Sequence, residues 1–584
     1  MSSSPTVCVP PLHIPRSHLS TESNKTGSWR FLRPRYDEKT APCSAACPAA
    51  EDIARIEMLT TQGLFKEAWE TVLQENPFPA VCGRVCFHPC ENVCNRGEFD
   101  EAIAIPAIER FLADTASRYG LKPSLDRRPP RAERVAVVGA GPSGLAAAYF
   151  LARLGYGCDV FEAQPEPGGI LRWGIPAYRL PVVALRNEIA LIESLGVRVH
   201  CGVSITDDFL RKAAGDYVAI FLGCGHGRGL RLGIPGENIA GVNDGLSFLE
   251  SVRRGDASQL QGSAAIIGGG NTAVDVARSV RRLGGRAIII YRRRQQDMRA
   301  FGDEVAMALD EGVTIRELEM PVAIEAVPGG LYLTLQTMRM VEAPSDAQAK
   351  IEAEPGKVTT IEVQQVFTAI GAEATAPWMQ PSASTETRMA LGHSIVVRNP
   401  AGALLFFGGD LTNDLKSVVH AVASGKEAAM ALDVILGEGW EAVPSKLAAC
   451  RVGNGAALSM EMYLQGPRCR RNSHVVTFDE INADYFQFAR RLVMPRLLRE
   501  ERWQSFAEID LRISGNLAMR EAERCFHCGL CSQCDNCRLF CPDLAVKRDE
   551  STQGRHIDYD YCKGCGVCVV ECPRNAMSLE EEQA

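Results

Sequence analysis

The chain has 584 residues and a formal net charge of −8, long enough for about three or four domains that each bury a core. Its lysines and arginines are spread without a basic stripe, which argues against nucleic acid as a partner. No apolar run approaches the ~20 residues of a membrane span, and the start, with Pro10, Pro11 and Pro15, lacks the apolar core of a secretory signal; a cytoplasmic chain with no membrane contact is expected.

Cysteine is the informative residue. Of 22 in all, six fall between Cys43 and Cys94 and ten between Cys525 and Cys572. Disulfides do not suit a large cytosolic chain, whereas closely spaced thiolates suit metal centres. Cys8, Cys158, Cys201, Cys224, Cys450 and Cys469 are scattered and read as ordinary thiols.

Residues 1–40 are polar and proline-bearing and read as an extended arm lying on a neighbouring subunit. Cys43-x3-Cys47-Pro48 then opens two amphipathic helical patterns, Asp52–Thr61 and Leu64–Glu75. Cys82, Cys86, Cys90 and Cys94 follow at four-residue steps. One helix face would carry them, so that several thiolates converge with Cys43 and Cys47. A helical iron–sulfur domain over 41–118 is expected. Zinc is the competing metal, but the spacings lack C-x2-C knuckles and stand beside a nucleotide fingerprint.

A proline- and arginine-rich linker, 119–133, leads to RVAVVGAGPSGL, an apolar run followed by Gly139, Gly141 and Gly144 in G-x-G-x-x-G spacing, with Pro142 and Ser143 between them. A buried strand turning at once into a helix needs such glycines where a pyrophosphate lies against the backbone. Glu162 closes the next apolar run, where a carboxylate accepts from a ribose 2′-hydroxyl. The helix is expected over Gly144–Leu154. PGGILRWGIPAYRLP, residues 167–181 and including Gly169, reads as an irregular loop wrapped around a ligand.

A second fingerprint, AAIIGGGNTAVD, carries Gly268, Gly269 and Gly270 before a helical pattern over Thr272–Leu283. Where the first unit has its glutamate, this one has Tyr291 followed by Arg292, Arg293 and Arg294. A missing carboxylate beside guanidinium groups favours a 2′-phosphate, hence NADP(H), with NAD(H) the alternative; an arginine run also suits a solvated face. FAD is then expected at the first fingerprint. VFTAIG, Val366–Gly371, reads as a buried strand returning the chain, and LLFFGGD ends in Gly409 and Asp410 before a long helix, a place where an aspartate holds flavin oxygens. The segment 436–520 reads only as a bridge, with helical patterns around Tyr485–Arg499 and Glu508–Glu523.

The C-terminal tract holds two copies of the C-x2-C-x2-C-x3-C-P ferredoxin run. Because the fourth cysteine of each run serves the other cluster, Cys531, Cys534, Cys537 and Cys572 form one expected 4Fe-4S site, and Cys541, Cys562, Cys565 and Cys568 the other. Cys525 and Cys528 extend the first run by the same step, so a shifted register stays open.

Taken together, APCSAACP, AVCGRVC, VVGAGPSGLAAA, GGILRWGIPAYRLP, GGGNTAVDVAR, YRRR, AIG and FGGD resemble the glutamate synthase small subunit family. That family includes the large subunit of NADH-dependent ferredoxin:NADP oxidoreductase and the N-terminal half of dihydropyrimidine dehydrogenase. The appended ferredoxin resembles a subgroup that serves larger redox enzymes. The resemblance implies FAD contacts at Gly139, Gly141, Pro142, Ser143, Gly144, Glu162, Gly169, Ile170, Arg179, Gly409, Asp410 and Val418. It implies NADP(H) contacts at Gly268, Gly270, Asn271, Thr272, Arg292, Arg293, Ala369, Ile370 and Gly371. It also implies an N-terminal cluster through Cys47, Cys86, Cys90 and Glu109, with a second around Cys43 and Cys94 left open because the two cysteines usual before Cys43 are replaced within RPRYDEKTAP. Cys82 matches a cysteine that is usually not a ligand.

The fold class is therefore multidomain α/β: an arm (1–40), a helical iron–sulfur domain (41–118), a linker (119–133), an FAD domain in two parts (134–245 and 373–435) around an inserted NAD(P) domain (246–372), a bridge (436–520) and a two-cluster ferredoxin domain (521–584). No protein nucleophile is required, because hydride passes between nicotinamide and flavin and iron–sulfur centres take electrons singly. The implied partner is another subunit of a larger enzyme, a thiamine-diphosphate 2-oxoacid oxidoreductase in the favoured reading, or ferredoxin. The rivals are the glutamate synthase small subunit itself, which lacks the C-terminal ferredoxin, and a non-catalytic iron–sulfur scaffold.

Overall fold

The computed structural model describes residues 25–212, 215–341, 350–379, 388–398, 403–469, 471–549 and 554–582. The first 24 residues of the expected arm lie outside the described residues.

Two largely parallel sheets organise the centre. The first has seven strands in the order Arg388–Ala390, Ile395–Arg398, Leu404–Phe407, Ala219–Leu222, Arg134–Val138, Gly157–Glu162 and Arg198–Cys201. The last five run parallel. Alternation along the central strand sends Val135 and Val137 into one core and Ala136 and Val138 into another. The second sheet has five parallel strands, Thr314–Glu317, Arg286–Tyr291, Ser263–Ile267, Gln365–Thr368 and Val242–Asp244. The boundary expected at residue 245 is thus too late, since Val242–Asp244 is the edge of the second sheet. The chain crosses between the two domains at a short antiparallel pair, Arg228–Gly229 with Ala372–Glu373. A three-stranded antiparallel sheet, Glu319–Val327, Gly330–Val341 and Lys350–Val363, covers one face of the second sheet through Ile324, Leu331, Leu333 and Leu335. The sequence pattern had not singled it out.

The N-terminal domain is helical, with helices at Ile53–Thr61, Phe65–Glu75, Pro79–Val85 and Ile105–Tyr119. Its core is continuous with one face of the first sheet. Helix Val418–Glu438 locks the two together. On one side it meets helix Pro142–Arg153 so closely that a Cβ on Gly425 would stand 2.5 Å from the Ser143 carbonyl oxygen. On the other, the buried Lys426 ammonium lies 2.6 Å from Glu75 Oε2 and also donates to the Ala49 carbonyl. Glu75 Oε1 accepts from Ser459 Oγ at 2.5 Å, and Oε2 from Met460 N at 2.8 Å.

Residues Leu32–Tyr36 form a strand antiparallel to Met577–Glu581, so the described part of the arm belongs to the chain's own ferredoxin domain, not to a neighbouring subunit. The helix expected over Tyr485–Arg499 is absent. Pro495 interrupts it, Leu511 N donates to the Pro495 carbonyl at 2.7 Å, and Arg491 reaches Glu91 at 2.7 Å. The second expected helix starts late, at Gly515, capped by Ser514 Oγ.

Removing one member of a buried ion pair leaves an uncompensated charge and costs about 3–5 kcal/mol. Lys426→Met is therefore expected to lower the melting temperature and the denaturant midpoint markedly, followed by circular dichroism; an unchanged midpoint would show that the pair contributes nothing to holding the domains together.

Candidate functional site

At the first fingerprint, helix Pro142–Arg153 begins directly after Gly141. Gly139 has φ +97°, and a Cβ there would stand 2.7 Å from the Gly223 carbonyl oxygen, so strand and turn close up only with glycine. A Cβ on Gly141 would meet nothing nearer than 3.9 Å, which leaves open space before the helix N-terminus where an anion is favoured. Glu162 Oε2 accepts from Ala140 N at 2.8 Å and Oε1 from Gln164 N at 2.9 Å, holding the carboxylate at the end of its strand with lone pairs to spare.

The opposite wall is Gly409 and Asp410 in a one-turn 3-10 helix, Gly409–Leu411. Gly409 N donates to Ser424 Oγ at 2.8 Å, and Ser424 Oγ lies 2.9 Å from Ser143 Oγ, so the two halves of the flavin domain meet here. Burial pushes the Asp410 carboxyl up from the usual range, against Lys416 and His226. Val418 opens the long helix, capped by Ser417. The 167–181 loop is not wholly irregular: after Gly169, Ile170–Trp173 makes one helical turn, and Ile170 stays exposed.

Arg179 reaches across to the second nucleotide domain. Its guanidinium lies 2.7 Å from Asp275 and 3.1 Å from Glu304, both in the second nucleotide domain. Tyr178 goes with it, its buried ring beneath Arg278 and Arg282, which share the buried Glu311. The structure thus places Arg179 in a joint between the two nucleotide domains. Sequence reasoning missed this joint because its partners lie roughly a hundred residues downstream.

The second fingerprint repeats the design. Gly268 has φ +146°, and a Cβ there would stand 2.2 Å from the Ala369 carbonyl oxygen, while one on Gly270 would meet nothing within 4 Å. Helix Asn271–Arg282 starts there, running through Thr272, and Asn271 Oδ1 accepts from Phe301 N at 3.0 Å. Ala369 N donates to Ile267 O at 2.8 Å, which brings Ala369, Ile370 and Gly371 to the ends of the strands. Arg292 is exposed and Arg293 half-buried. Among the described residues no carboxylate pairs with either, whereas Arg294 lies 3.5 Å from Asp297.

In the helical domain the four-residue cysteine steps do not share one helix. Helix Pro79–Val85 ends at Cys86, His88 takes a left-handed conformation, and Pro89 starts a new turn. This break turns Cys86 and Cys90 inward. Burial, and then the charges of Glu51, Cys86 and Glu109, raise the Cys47 thiol; Cys90 is raised likewise by burial, Cys47 and Cys86. Glu109, buried on helix Ile105–Tyr119, is held by Asn76 Nδ2 at 3.3 Å. Thiols so buried become thiolates when a cation binds them. Cys82 stands nearby, and Cys43 and Cys94 lie close to Cys525 and Cys528. Phe87, next to Cys86, stacks on His420 of the long helix at 5.8 Å, so this cysteine group lies beside the first nucleotide site.

In the C-terminal domain a cavity is lined by Cys541, Cys562, Cys565 and Cys568. The other four group together as well: Cys531 is raised by burial and by Cys572, Cys537 and Cys534. Cys541 and Cys572 each accept a backbone N–H, from Ala545 and Ala576, at 3.3 Å. Cys541 thus lies with the first three cysteines of the second run, and Cys572 with the first three of the first. Among the described residues no three His, Cys, Asp or Glu side chains converge tightly enough for a single ion.

The sequence matches three families: dihydropyrimidine dehydrogenase domain II, 4Fe-4S cluster, over residues 35–121; pyridine nucleotide-disulphide oxidoreductase over 133–425; and the 4Fe-4S binding domain over 555–578. The chain belongs to the pyridine nucleotide-disulphide oxidoreductase family. It is 35% identical over 430 residues to the NADP(+)-dependent formate dehydrogenase subunit beta of Moorella thermoacetica, across 68% of this chain and 60% of that protein. It is 29% identical over 523 residues to the NADPH-Fe(3+) oxidoreductase subunit beta of Geobacter sulfurreducens, across 84% and 75%. It is 33% identical over 405 residues to the NAD-dependent dihydropyrimidine dehydrogenase subunit PreT of Salmonella typhimurium, across 68% and 92%. Iron–sulfur domains therefore flank a pyridine nucleotide oxidoreductase module, and the chain is an iron–sulfur flavoprotein oxidoreductase. No helix among the described residues is long and apolar enough to cross a membrane.

Gly268→Ala forces a Cβ against the Ala369 backbone at a left-handed φ. Strain of about 1–3 kcal/mol weakens pyridine nucleotide binding roughly ten- to hundredfold, measured by calorimetry with flavin content retained; unchanged affinity would show that the nucleotide does not approach this turn.

Proposed function

We propose that the chain is the NADP(H)-linked electron-transfer subunit of a larger oxidoreductase, with FAD at the first fingerprint and NADP(H) at the second. One contrast carries the reading. The first unit ends its second strand in Glu162, suited to a ribose hydroxyl, and the second ends the matching strand beside Arg292 and Arg293, whose guanidinium groups are available to a 2′-phosphate. The chemistry FAD supplies there is the exchange of a hydride at nicotinamide for single electrons at iron–sulfur centres. The protein's part is positional. The helix N-termini after Gly141 and Gly270 receive pyrophosphates, Glu162 and Asp410 fix the flavin nucleotide's hydroxyls, and the joint of Tyr178 and Arg179 holds the two nucleotide domains in register. Thiolates of the kind grouped at both ends suit a reducing cytoplasm.

The partner in this reading is a thiamine-diphosphate 2-oxoacid oxidoreductase, favoured by the appended ferredoxin domain. A formate dehydrogenase catalytic subunit is the second reading, favoured by the Moorella thermoacetica relative. Affinity purification of the full chain from its own cells under anaerobic conditions separates the two by the cofactor of the large subunit that accompanies it.

Charge-assisted hydrogen bonds contribute about 1.5–3 kcal/mol each, so Arg292→Ala and Arg293→Ala should each raise the KM for NADPH about ten- to hundredfold and leave that for NADH nearly unchanged, in anaerobic rapid-mixing reduction of the flavin. Equal effects on both nucleotides, or none, would contradict the assignment.

A further inference from the structure

Residues 33–42, RPRYDEKTAP, contain no cysteine, and Cys43 and Cys94 are not among the groups that act most on the Cys47 thiol. The segment Arg524–Leu530, from the other end of the chain, lies directly against them. Arg96 Nη1 donates to the Arg524 carbonyl at 2.8 Å, Arg524 lies 3.1 Å from Asp100, and Lys39 N donates to the Gly529 carbonyl at 3.0 Å. Asn95, the residue after Cys94, donates from Nδ2 to Cys528 Sγ at 3.4 Å. Cys43, Cys525 and Cys528 are buried in one core, with Cys94 packed against it. After burial itself, the groups that act most on the Cys43 thiol are those of Cys94, Cys525 and Cys528.

The backbone at this pair is built like a cluster loop. His527 is left-handed, with φ +50°, and its N–H donates to Cys525 Sγ at 3.3 Å. The same position after Cys531 is Gln533 at φ +59°, and after Cys562 it is Gly564 at φ +72°; their N–H groups favour the thiolates of Cys531 and Cys562 in the same way. After Cys86 it is His88, at φ +49° and 3.4 Å. Such turns make a concave set of N–H groups that receives sulfur anions. The sequence C-x2-C at 525–528 therefore takes the fold of the ferredoxin's own pairs. Beside it are two buried side chains with polar atoms lacking any hydrogen-bond partner, both ring nitrogens of His527 and both carboxylate oxygens of Glu57. Glu57 is 1% exposed and His527 4%. A zinc ion would draw its four ligands to ~2.3 Å from one point; these thiols do not converge that tightly, and neither do those of the two ferredoxin groups. Wider spacing suits a cubane, whose four irons each take their own thiolate.

We propose that Cys43, Cys94, Cys525 and Cys528 hold a further 4Fe-4S cluster, assembled from the two ends of the chain. The inference rests on the iron–sulfur reading of the protein and adds a centre between the helical domain and the ferredoxin. Cys90 is within electrostatic reach of Cys43, and Cys528 precedes Cys531 by three residues, so the site falls between the Cys47 group and the first ferredoxin group. Glu57 and His527 are its buried polar surroundings, and hydrogen bonds and burial of this kind set a cluster's potential.

The test uses the full chain purified anaerobically, with iron and acid-labile sulfide quantified and paramagnetic resonance recorded after reduction by dithionite. The wild type should hold about sixteen irons, four per cluster. Cys525→Ser/Cys528→Ser should lose about four of them together with one resonance signal, while keeping flavin and its reduction by NADPH. Cys43→Ser, from the other end of the chain, should lose the same signal, and Cys450→Ser should lose none. Unchanged iron and signals in Cys525→Ser/Cys528→Ser would overturn the proposal, as would a wild type holding about twelve irons with the three other sites complete. Loss of NADPH reduction with all iron retained would instead count against the proposed function and leave the cluster standing.

Discussion

The structure depends on the pairing of Leu32–Tyr36 with Met577–Glu581, which ties the two ends of the chain into one sheet. Side chains reinforce it: Lys39 Nζ donates to the carbonyls of Asn575 and Met577 at 2.8 and 2.9 Å, and Arg30 pairs with Glu582. Two strands alone are marginal in water, and here the helical domain and the ferredoxin loops supply the rest of the burial. Without this closure the ferredoxin domain would hang from the bridge. With it, the C-terminal cysteine tract is laid against the N-terminal one.

A second constraint places the cysteines of the helical domain beside the first fingerprint. Helix Val418–Glu438 is buried on all sides from Ala421 to Val434: Gly425 lets helix Pro142–Arg153 approach to backbone contact, and Lys426 reaches across to Glu75. Phe87 against His420 continues the contact to the Cys86 turn. The helix that ends the flavin domain is thus also the wall of the iron–sulfur domain, so a redox group at the first fingerprint and one at Cys47, Cys86 and Cys90 are neighbours by construction. The joint of Tyr178 and Arg179 does the corresponding work on the other side, fixing the second nucleotide domain against the first.

What was legible in the sequence was local. Gly139, Gly141 and Gly144 before one helix, Gly268 to Gly270 before another, and the two C-x2-C-x2-C-x3-C-P runs each carry their chemistry within a few residues. What was not legible needed a partner far along the chain. A polar, proline-bearing stretch has no reason to be a strand until Met577–Glu581 is beside it. The pairing of Arg179 with Asp275 and Glu304 joins residues that lie far apart in the chain. The apolar residues of Tyr485–Arg499 have helical spacing, but Pro495 and the reach of Arg491 to Glu91 hold them extended. Cys525 and Cys528 look like a surplus step of the ferredoxin run until Cys43 and Cys94 are seen across from them.

The most direct measurement is anomalous scattering at the iron edge from anaerobically grown crystals of the full chain. The account predicts four separate iron centres in a row leading away from the first fingerprint, the second of them between Cys43, Cys94, Cys525 and Cys528. Three centres with that position empty, or a zinc edge in place of iron at either end, would contradict it.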